Sequence, residues 1–230
     1  MTRPGAPLGD LFARAVRQSI GGTAAAGDAG ADPTVDRILD AAVAVLGRRG
    51  TTEATVDEVA QEAGVGRATV FRRFASKDTL FEAALTRVVG GVIGAMVDRF
   101  AVVRDPVEQV VEGFAICMAL DADPLLAGSR RRRADLLAAL CDGDPSPLSL
   151  AFHAVAANLR RAHRDGAITV GDPDQQADAL VHLGLAYLVA PGLAIDLADP
   201  DAVRAFARST IAPVIGYVPE TASRVVASDS

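Results

Sequence analysis

Six Asp-Pro pairs are spread along the chain, and they account for half of its 12 prolines. At the start of a helix, aspartate accepts hydrogen bonds from free backbone N–H groups, and a following proline gives up a donor that the helix does not use. The pairs therefore indicate repeated helix starts. No stretch shows the alternation of apolar and polar residues that is typical of a half-buried strand. The sequence predicts an all-α fold.

The helix starts and the periodicity of apolar residues together predict nine helices. They are expected near residues 34–49, 55–63, 67–74, 77–101, 106–120, 129–141, 147–165, 173–189 and 200–217. Aromatic residues make up only 4% of the chain, which disfavours a sheet-based core and agrees with helical packing.

The types of residue present exclude several kinds of catalytic site. Lys77 is the only lysine, and it follows Ser76, whereas a nucleotide-binding GxxxxGK[ST] loop needs a lysine after a glycine. Neither a GxSxG nor an HExxH motif occurs. Cys117 and Cys141 are the only cysteines, and the three histidines have no close ligand partner. We expect no enzymatic activity, no cofactor and no metal.

The distribution of apolar residues predicts a cytoplasmic protein without a membrane contact. The longest uncharged run, residues 179–195, contains His182 and Pro191. As a helix it would span about 25 Å, less than the roughly 30 Å of a hydrocarbon core. The first thirty residues contain charges and lack the continuous apolar block of a signal peptide.

Two short helices joined by a tight turn are expected between residues 55 and 74. Thr55 and Glu58 have the spacing of a capping box, which starts the first of them. Gly64 suits the left-handed backbone that often ends a helix. The second helix would bury Val70 and Phe74. This arrangement is typical of a helix-turn-helix.

A basic cluster lies on the second of these helices and just beyond it. Arg67, Arg72, Arg73 and Lys77 occur without an intervening acidic residue, although the whole chain has a net charge of −6. A local basic element allows an acidic protein to contact nucleic acid. A cluster of this kind is also often only a solvated face.

In these motifs the sequence resembles the TetR family of transcriptional regulators. The resemblance runs from about Thr34 to Phe81, and its most specific part is VAQEAGVGRATVFRRF at 59–74, followed by SKDTL at 76–80. It implies that the second short helix enters the major groove of DNA. It implies base-edge contacts for Arg67, Ala68 and Arg72, and phosphate contacts for Thr55, Thr69, Phe71, Arg73 and Lys77.

Two residues depart from the family pattern. Phe71 stands where the family usually has a tyrosine whose hydroxyl reaches a phosphate, so we expect Phe71 only to pack and Arg73 to compensate. Gly66 replaces the usual serine before the second helix, which weakens the helix cap by only about a few tenths of a kcal/mol.

The domain plan follows from composition and from the resemblance. We expect a flexible, mostly disordered arm over residues 1–33, with a possible short helix at 11–20, and a flexible tail over 219–230. Between them, a helix-turn-helix domain at 34–80 would precede a helical effector-binding and dimerisation domain at 81–218.

The C-terminal part is expected to sense a ligand and to form a homodimer. The apolar run at 179–190 suits a helix with two partners, although an intrachain core is the alternative. The residues that could line an effector pocket are spaced at helical intervals, a spacing that residues of an ordinary hydrophobic core also have. Its candidate lining is Met96, Phe100, Phe114, Cys117, Met118, Phe152 and His153.

The implied function is a repressor that a small apolar or amphipathic effector releases from a palindromic operator. Gly90, Gly91 and Gly94 interrupt the helix that leaves the DNA-binding domain, and they would serve either as a bend point or for close helix packing. The alternative function is a helical module that binds a small molecule or a partner without specific DNA recognition.

Overall fold

A computed structural model of the 230-residue chain describes residues 8–21, 32–123, 125, 137–138, 140–141, 144–190 and 194–216. All regular secondary structure in these residues is helical, which confirms the predicted all-α fold. The chain forms two compact units. The N-terminal unit comprises residues 1–94 and 122–147, and the C-terminal unit comprises residues 95–121 and 148–230.

Four Asp-Pro pairs start helices as predicted. Asp32, Asp105, Asp172 and Asp199 each accept a hydrogen bond from a backbone N–H of the first turn, and each is followed by proline in that turn. At the Asp144-Pro145 pair, the helix starts two residues after Pro145. The remaining pair is Asp123-Pro124, whose proline lies outside the described residues.

The N-terminal unit contains four helices and most of a fifth. They are α1 (Leu8–Gly21), α2 (Pro33–Glu53), α3 (Val56–Glu62), α4 (Arg67–Arg73) and α5 (Lys77–Val102), whose last turns belong to the C-terminal unit. Gly50, at φ 74°, interrupts α2 at the predicted end of that helix.

The C-terminal unit continues from the end of α5. It contains α6 (Pro106–Ala119), a 3-10 turn (Leu120–Ala122), α7 (Pro147–Arg164), α8 (Pro173–Val189) and α9 (Pro200–Phe206). The predicted helix at 129–141 is described only at 137–138 and 140–141, which are helical.

The helix predicted over 200–217 is not uniform. After α9 the chain continues as a π-helix (Ala207–Ile211) and a 3-10 helix (Ala212–Ile215). Pro213 provides a physical reason, since a proline has no N–H to donate and its ring collides with the carbonyl four residues earlier. Gly216, at φ 82°, then ends the segment.

The core of the N-terminal unit is built on the first turns of α5. Leu80, Phe81, Ala84 and Leu85 are completely buried. They belong to one apolar cluster with buried residues of α1, α2, α3 and α4. The start of α5 therefore supports the helix-turn-helix from within.

Helix α1 coincides with the possible short helix at 11–20 within the expected N-terminal arm. Leu11 and Ala15 are buried in the same cluster. Arg14 Nε donates to Glu82 Oε2 over 2.8 Å, and Gln18 Nε2 donates to Glu82 Oε1 over 2.8 Å. The spaced apolar residues of this helix form a packed face, so residues 8–21 are ordered. Residues 1–7 and 22–31, and the predicted flexible tail at 219–230, lie outside the described residues.

Helix α5 is long and apolar enough to cross a membrane by length and composition alone. This helix is separate from the uncharged run at 179–195, because it contains charged residues such as Glu82 and Arg87. The buried residues of α5 pack against the other helices of the N-terminal unit, and a core helix of a soluble protein satisfies the same criteria.

The core of the C-terminal unit contains an aromatic trio. The ring of Phe114 lies 5.7 Å from that of Tyr187 and 6.0 Å from that of Phe206, and the latter two are 5.2 Å apart, all between centroids. Such edge-on and tilted arrangements are favourable for aromatic rings. The trio joins α6, α8 and α9.

Helix α6 also contains a buried carboxylate. Glu112 is only 5% exposed, and its Oε1 accepts from Arg204 Nε over 2.9 Å. Its Oε2 is 3.1 Å from Arg99 Nε in the last turns of α5. Burial raises the pKa of Glu112, but the hydrogen bonds and charges of Arg204 and Arg99 outweigh it, so the net pKa is lowered.

The substitution Leu11→Ala tests the packing of α1. Because Leu11 is 1% exposed, its truncation should lower the free energy of unfolding by about 2–5 kcal/mol, as measured by urea denaturation. The control Arg17→Ala, on the exposed side of α1, should change it by less than about 0.5 kcal/mol. Equal effects of the two substitutions would contradict a packed α1.

The substitution Glu112→Gln should destabilise the protein in a pH-dependent way. The loss should be about 1–3 kcal/mol near neutral pH, since hydrogen bonds to charged groups are removed. Because the folded pKa is lowered, the stabilisation by Glu112 is present above its unfolded pKa and disappears as the pH falls through the folded pKa. Denaturation of both proteins between pH 7 and pH 3 should therefore give converging stabilities.

Glu108→Gln is a matched control one turn earlier on α6. Glu108 pairs with Arg208 at 2.6 Å, but its side chain is 40% exposed. An exposed pair contributes about 0–1 kcal/mol, so this change should have the smaller effect. A larger loss from Glu108→Gln than from Glu112→Gln would contradict the role of the buried carboxylate.

Candidate nucleic-acid interface

The first short helix of the predicted helix-turn-helix starts at a complete capping box. Thr55 Oγ1 accepts from the Glu58 backbone N–H over 3.2 Å, and Glu58 Oε2 accepts from the Thr55 backbone N–H over 3.1 Å. The Thr55 hydroxyl also donates to Glu58 Oε2 over 3.0 Å, and this hydrogen bond is the main cause of the lowered pKa of Glu58, to which the Thr55 backbone N–H and the charge of Arg49 add. The capping box is confirmed.

The turn between α3 and α4 also has the predicted geometry. Gly64 adopts φ 66°, a left-handed backbone that favours glycine. Gly66 precedes α4 and makes no side-chain cap hydrogen bond, as the replacement of serine implies. Val70 is completely buried, which fixes the inner side of α4.

The outer side of α4 displays most of the residues that the resemblance assigned to DNA. Arg67, Ala68, Phe71, Arg72 and Arg73 are exposed, whereas Thr69 is half-buried. Phe71 is 40% exposed, an uncommon position for so large an apolar side chain. The structure therefore brings the predicted base-contacting residues onto one exposed helical surface.

The three arginines of α4 differ in their partners. Arg67 Nη1 donates to Asp57 Oδ2 over 2.5 Å, and its guanidinium lies 5.2 Å from the centroid of the Phe71 ring. Arg73 Nη2 donates to Asp32 Oδ2. Arg72 forms neither an ion pair nor a side-chain hydrogen bond with any residue in the described part of the chain.

Lys77 lies at the start of α5, and it is half-buried. Its Nζ is 3.4 Å from the carbonyl oxygen of Thr52 and 5.6 Å from the centroid of the Phe81 ring. The side chain is therefore held beside the core and keeps donors that can reach outward.

The sequence does not predict that the carboxylates of Asp57 and Asp32 pair with arginines of α4. The backbone N–H of Thr34 is the main cause of the lowered pKa of Asp32, with the charge of Arg73 contributing. Asp57 and Arg67 are ten residues apart, and Asp32 and Arg73 are 41 apart. No local periodicity predicts pairs at such separations, so only the folded arrangement reveals them.

A scan of protein families gives a match at these elements. Residues 38–84 match the model described as bacterial regulatory proteins, tetR family. The helix-turn-helix segment of the chain is therefore similar to that of the TetR family. The match covers helices α2 to α4 and the buried start of α5, which are the elements that form the helix-turn-helix and support it.

A curated relative also matches part of the chain. It is the uncharacterized HTH-type transcriptional regulator YvkB of Bacillus subtilis, 46% identical over 55 residues. The match covers 24% of this chain and 29% of YvkB. The chain thus matches less than a third of the length of this curated relative.

Solved structures of TetR-like regulators share the fold over most of the chain. The fatty acid degradation regulator FadR of Bacillus halodurans has a TM-score of 0.55 at 18% identity, covering 78% of this chain and 97% of its own. FadR of Bacillus subtilis, solved with stearoyl-CoA, has a TM-score of 0.55 at 16% identity, covering 80% and 99%. The putative transcriptional regulator SCO4942 of Streptomyces coelicolor has a TM-score of 0.55 at 22% identity, and the match covers 77% of this chain and 96% of SCO4942.

The residues suggested for an effector pocket are divided between different places in the C-terminal unit. Phe114, Cys117 and Met118 belong to the cluster around the aromatic trio, and burial raises the pKa of the Cys117 thiol to about 11. Phe152 packs at the edge of a second cluster, with its ring 5.2 Å from that of the exposed His153.

The other two pocket candidates lie on α5. Phe100 is half-buried and would be 3.3 Å from a Cβ placed at Gly113, and Met96 is half-buried. A cavity of about 230 Å³ lies elsewhere in this unit. Its lining is Ala115, Ile116, Ala119, Leu197, Pro200, Val203 and Arg204.

No group of three or more histidine, cysteine or acidic residues suited to a metal occurs in the described ranges.

Proposed function

We propose that this protein is a cytoplasmic transcriptional repressor that binds a palindromic operator as a homodimer and is released by a small molecule. The observation that carries the proposal is the exposed basic surface of α4, supported beneath by Val70 and by the buried start of α5. A guanidinium can donate two parallel hydrogen bonds to a guanine, and Arg72 has all of its donors available among the described residues.

Phosphate contacts would surround these base contacts. Arg73 and Lys77 supply charge, while Thr55 is exposed at the start of α3. Phe71 has no hydroxyl for a phosphate, and its ring instead lies beside Arg67. Contacts of this kind fix the position of a protein on DNA, and they make its affinity dependent on salt.

A stripe on α8 supports the homodimer. Val181, Leu185 and Val189 lie at intervals of four residues, and all three are partly exposed. They are absent from both apolar clusters of the C-terminal unit, whereas Leu183 and Tyr187 pack into one of them. The stripe therefore gives α8 a second apolar face that a second copy could cover. A two-fold dimer also suits two operator half-sites.

Selection of fragments from a random duplex library by the full-length protein tests the proposal. We expect an enriched sequence with two-fold symmetry. Arg72→Ala should weaken its binding by about tenfold, because one bidentate base contact is lost. Arg73→Ala should weaken binding to selected and random DNA alike and reduce the salt dependence.

Arg161→Ala provides the control for charge, because it removes one exposed arginine from α7. It should leave binding to the selected DNA unchanged. If the wild-type protein enriches no sequence at low salt, the helical binding module without DNA recognition becomes the better description. An enriched sequence without two-fold symmetry would contradict the dimer.

The proposed effector is apolar or amphipathic, and it would bind in the C-terminal unit. The half-buried side chains of Met96, Phe100 and Phe152 remain candidate contacts, as do Phe114, Cys117, Met118 and His153. One of the structures with this fold contains stearoyl-CoA, which makes a long-chain acyl-CoA the first probe. An effector acts only through its different affinity for the DNA-bound and free forms.

The glycines of α5 would provide the bend through which an effector acts. The helix is continuous across Gly90, Gly91 and Gly94. A Cβ at Gly90 would meet Ser19 Oγ at 3.6 Å, but one at Gly91 or Gly94 would have no described atom within 4 Å. Close packing therefore does not account for Gly91 and Gly94, each of which costs about 1 kcal/mol relative to alanine.

Release of the selected DNA by stearoyl-CoA, with coenzyme A as the control, tests both ideas. We expect release by the acylated compound alone. Gly91→Ala should bind DNA like the wild-type protein but respond more weakly, since a stiffer helix resists bending. Release by neither compound would exclude a long-chain acyl-CoA, and an unchanged response of Gly91→Ala would contradict the bend.

A further inference from the structure

We propose that Asp57 is a positioning residue for Arg67 and thereby sets how well the interface distinguishes its operator from other DNA. This inference rests on the proposed DNA-binding function and adds a specificity-determining residue to it. Asp57 itself lies in the first turn of α3, outside the basic helix α4.

Arg67 is constrained by two groups of different geometry. The Asp57 carboxylate accepts from Nη1, one corner of the planar guanidinium, while the Phe71 ring lies 5.2 Å from its central carbon. A contact at the edge fixes the position of the plane, and an aromatic ring limits its tilt. The two contacts together select one orientation of an otherwise flexible side chain.

The donors needed for a base remain available in this orientation. Arg67 uses Nη1 for Asp57, and Nε and Nη2 make no hydrogen bond within the described ranges. A guanidinium presents its donors as a rigid fork, so Nε and Nη2 can still bind a guanine edge in parallel. Asp57 thus occupies the part of Arg67 that base recognition does not require.

The neighbouring arginines lack this double constraint. Arg73 has a carboxylate partner, Asp32, but no aromatic ring against it among the described residues. Arg72 has neither. Of the three arginines of α4, Arg67 is therefore the one whose orientation depends most on a second residue.

The negative charge of Asp57 has an opposite effect on general affinity. Its side chain is 62% exposed beside the proposed DNA surface, so it repels phosphates of any sequence. A freed Arg67 would also reach phosphates more easily, because those contacts need no fixed orientation. Asp57 therefore lowers the affinity for DNA of any sequence, while it improves discrimination between the operator and other DNA.

The variant Asp57→Asn removes the charge and keeps the size of the side chain. Binding to the operator selected by the wild-type protein and to a random duplex should be measured with full-length protein. We expect affinity for the random duplex to rise by roughly threefold at low salt, and the ratio of the two affinities to fall by about tenfold. Thermal unfolding would verify that the variant is folded.

Glu62→Gln is the matched control on the same helix. It also removes one exposed acidic charge, but its partner is Arg48 rather than a residue of α4. The affinity ratio should stay at the wild-type value. If the affinity ratio falls by a similar factor in this variant, the effect of Asp57→Asn arises from net charge alone. That result would overturn the proposal.

The double variant tests whether Asp57 acts through Arg67. In an Arg67→Ala background, adding Asp57→Asn should leave the affinity ratio unchanged, since the positioned group is absent. A further fall there, or an unchanged ratio in the single variant Asp57→Asn, would overturn the positioning role. If the wild-type protein selects no sequence at all, the proposed function itself fails, which is a different result from both.

Discussion

The helix-turn-helix depends on the burial of the first turns of α5. Side chains on two successive turns, from Leu80 to Leu85, are removed from water by every other helix of the N-terminal unit. Burial of a large apolar side chain contributes about 1.5–3 kcal/mol, far more than the exposed ion pairs around it. The surface that we propose to contact DNA can therefore be polar and loosely paired, because the buried residues beneath α4 hold it in position.

The elements that sequence analysis predicted well are those determined by neighbouring residues. The capping box of Thr55 and Glu58, the left-handed Gly64 and the buried Val70 each follow from a spacing of a few positions. The long-range pairs of Arg67 and Arg73 could not be predicted in this way. Their partners become neighbours only when α2, α3 and α4 are packed together.

Helix α1 and the candidate effector pocket show two further features that sequence patterns alone do not determine. The glycines and alanines around α1 favour disorder, whereas the short helix expected at 11–20 corresponds to α1, whose Leu11 and Ala15 are buried in the core. For the pocket, helical spacing could not separate residues that line a cavity from residues that fill a core. Phe114, for example, remains a candidate effector contact although two aromatic rings of the core pack against it.

The position of α1 has a consequence for the natural limits of the DNA-binding domain. The part that matches the family begins at residue 38, but the polar groups of Glu82 and Thr86 already have partners on α1. A chain beginning at Asp32 would leave the contact surface of Leu11 and Ala15 open to water. An uncovered apolar surface promotes self-association, so we expect a version of this domain that stays in solution to include α1, which lies outside the matched residues 38–84.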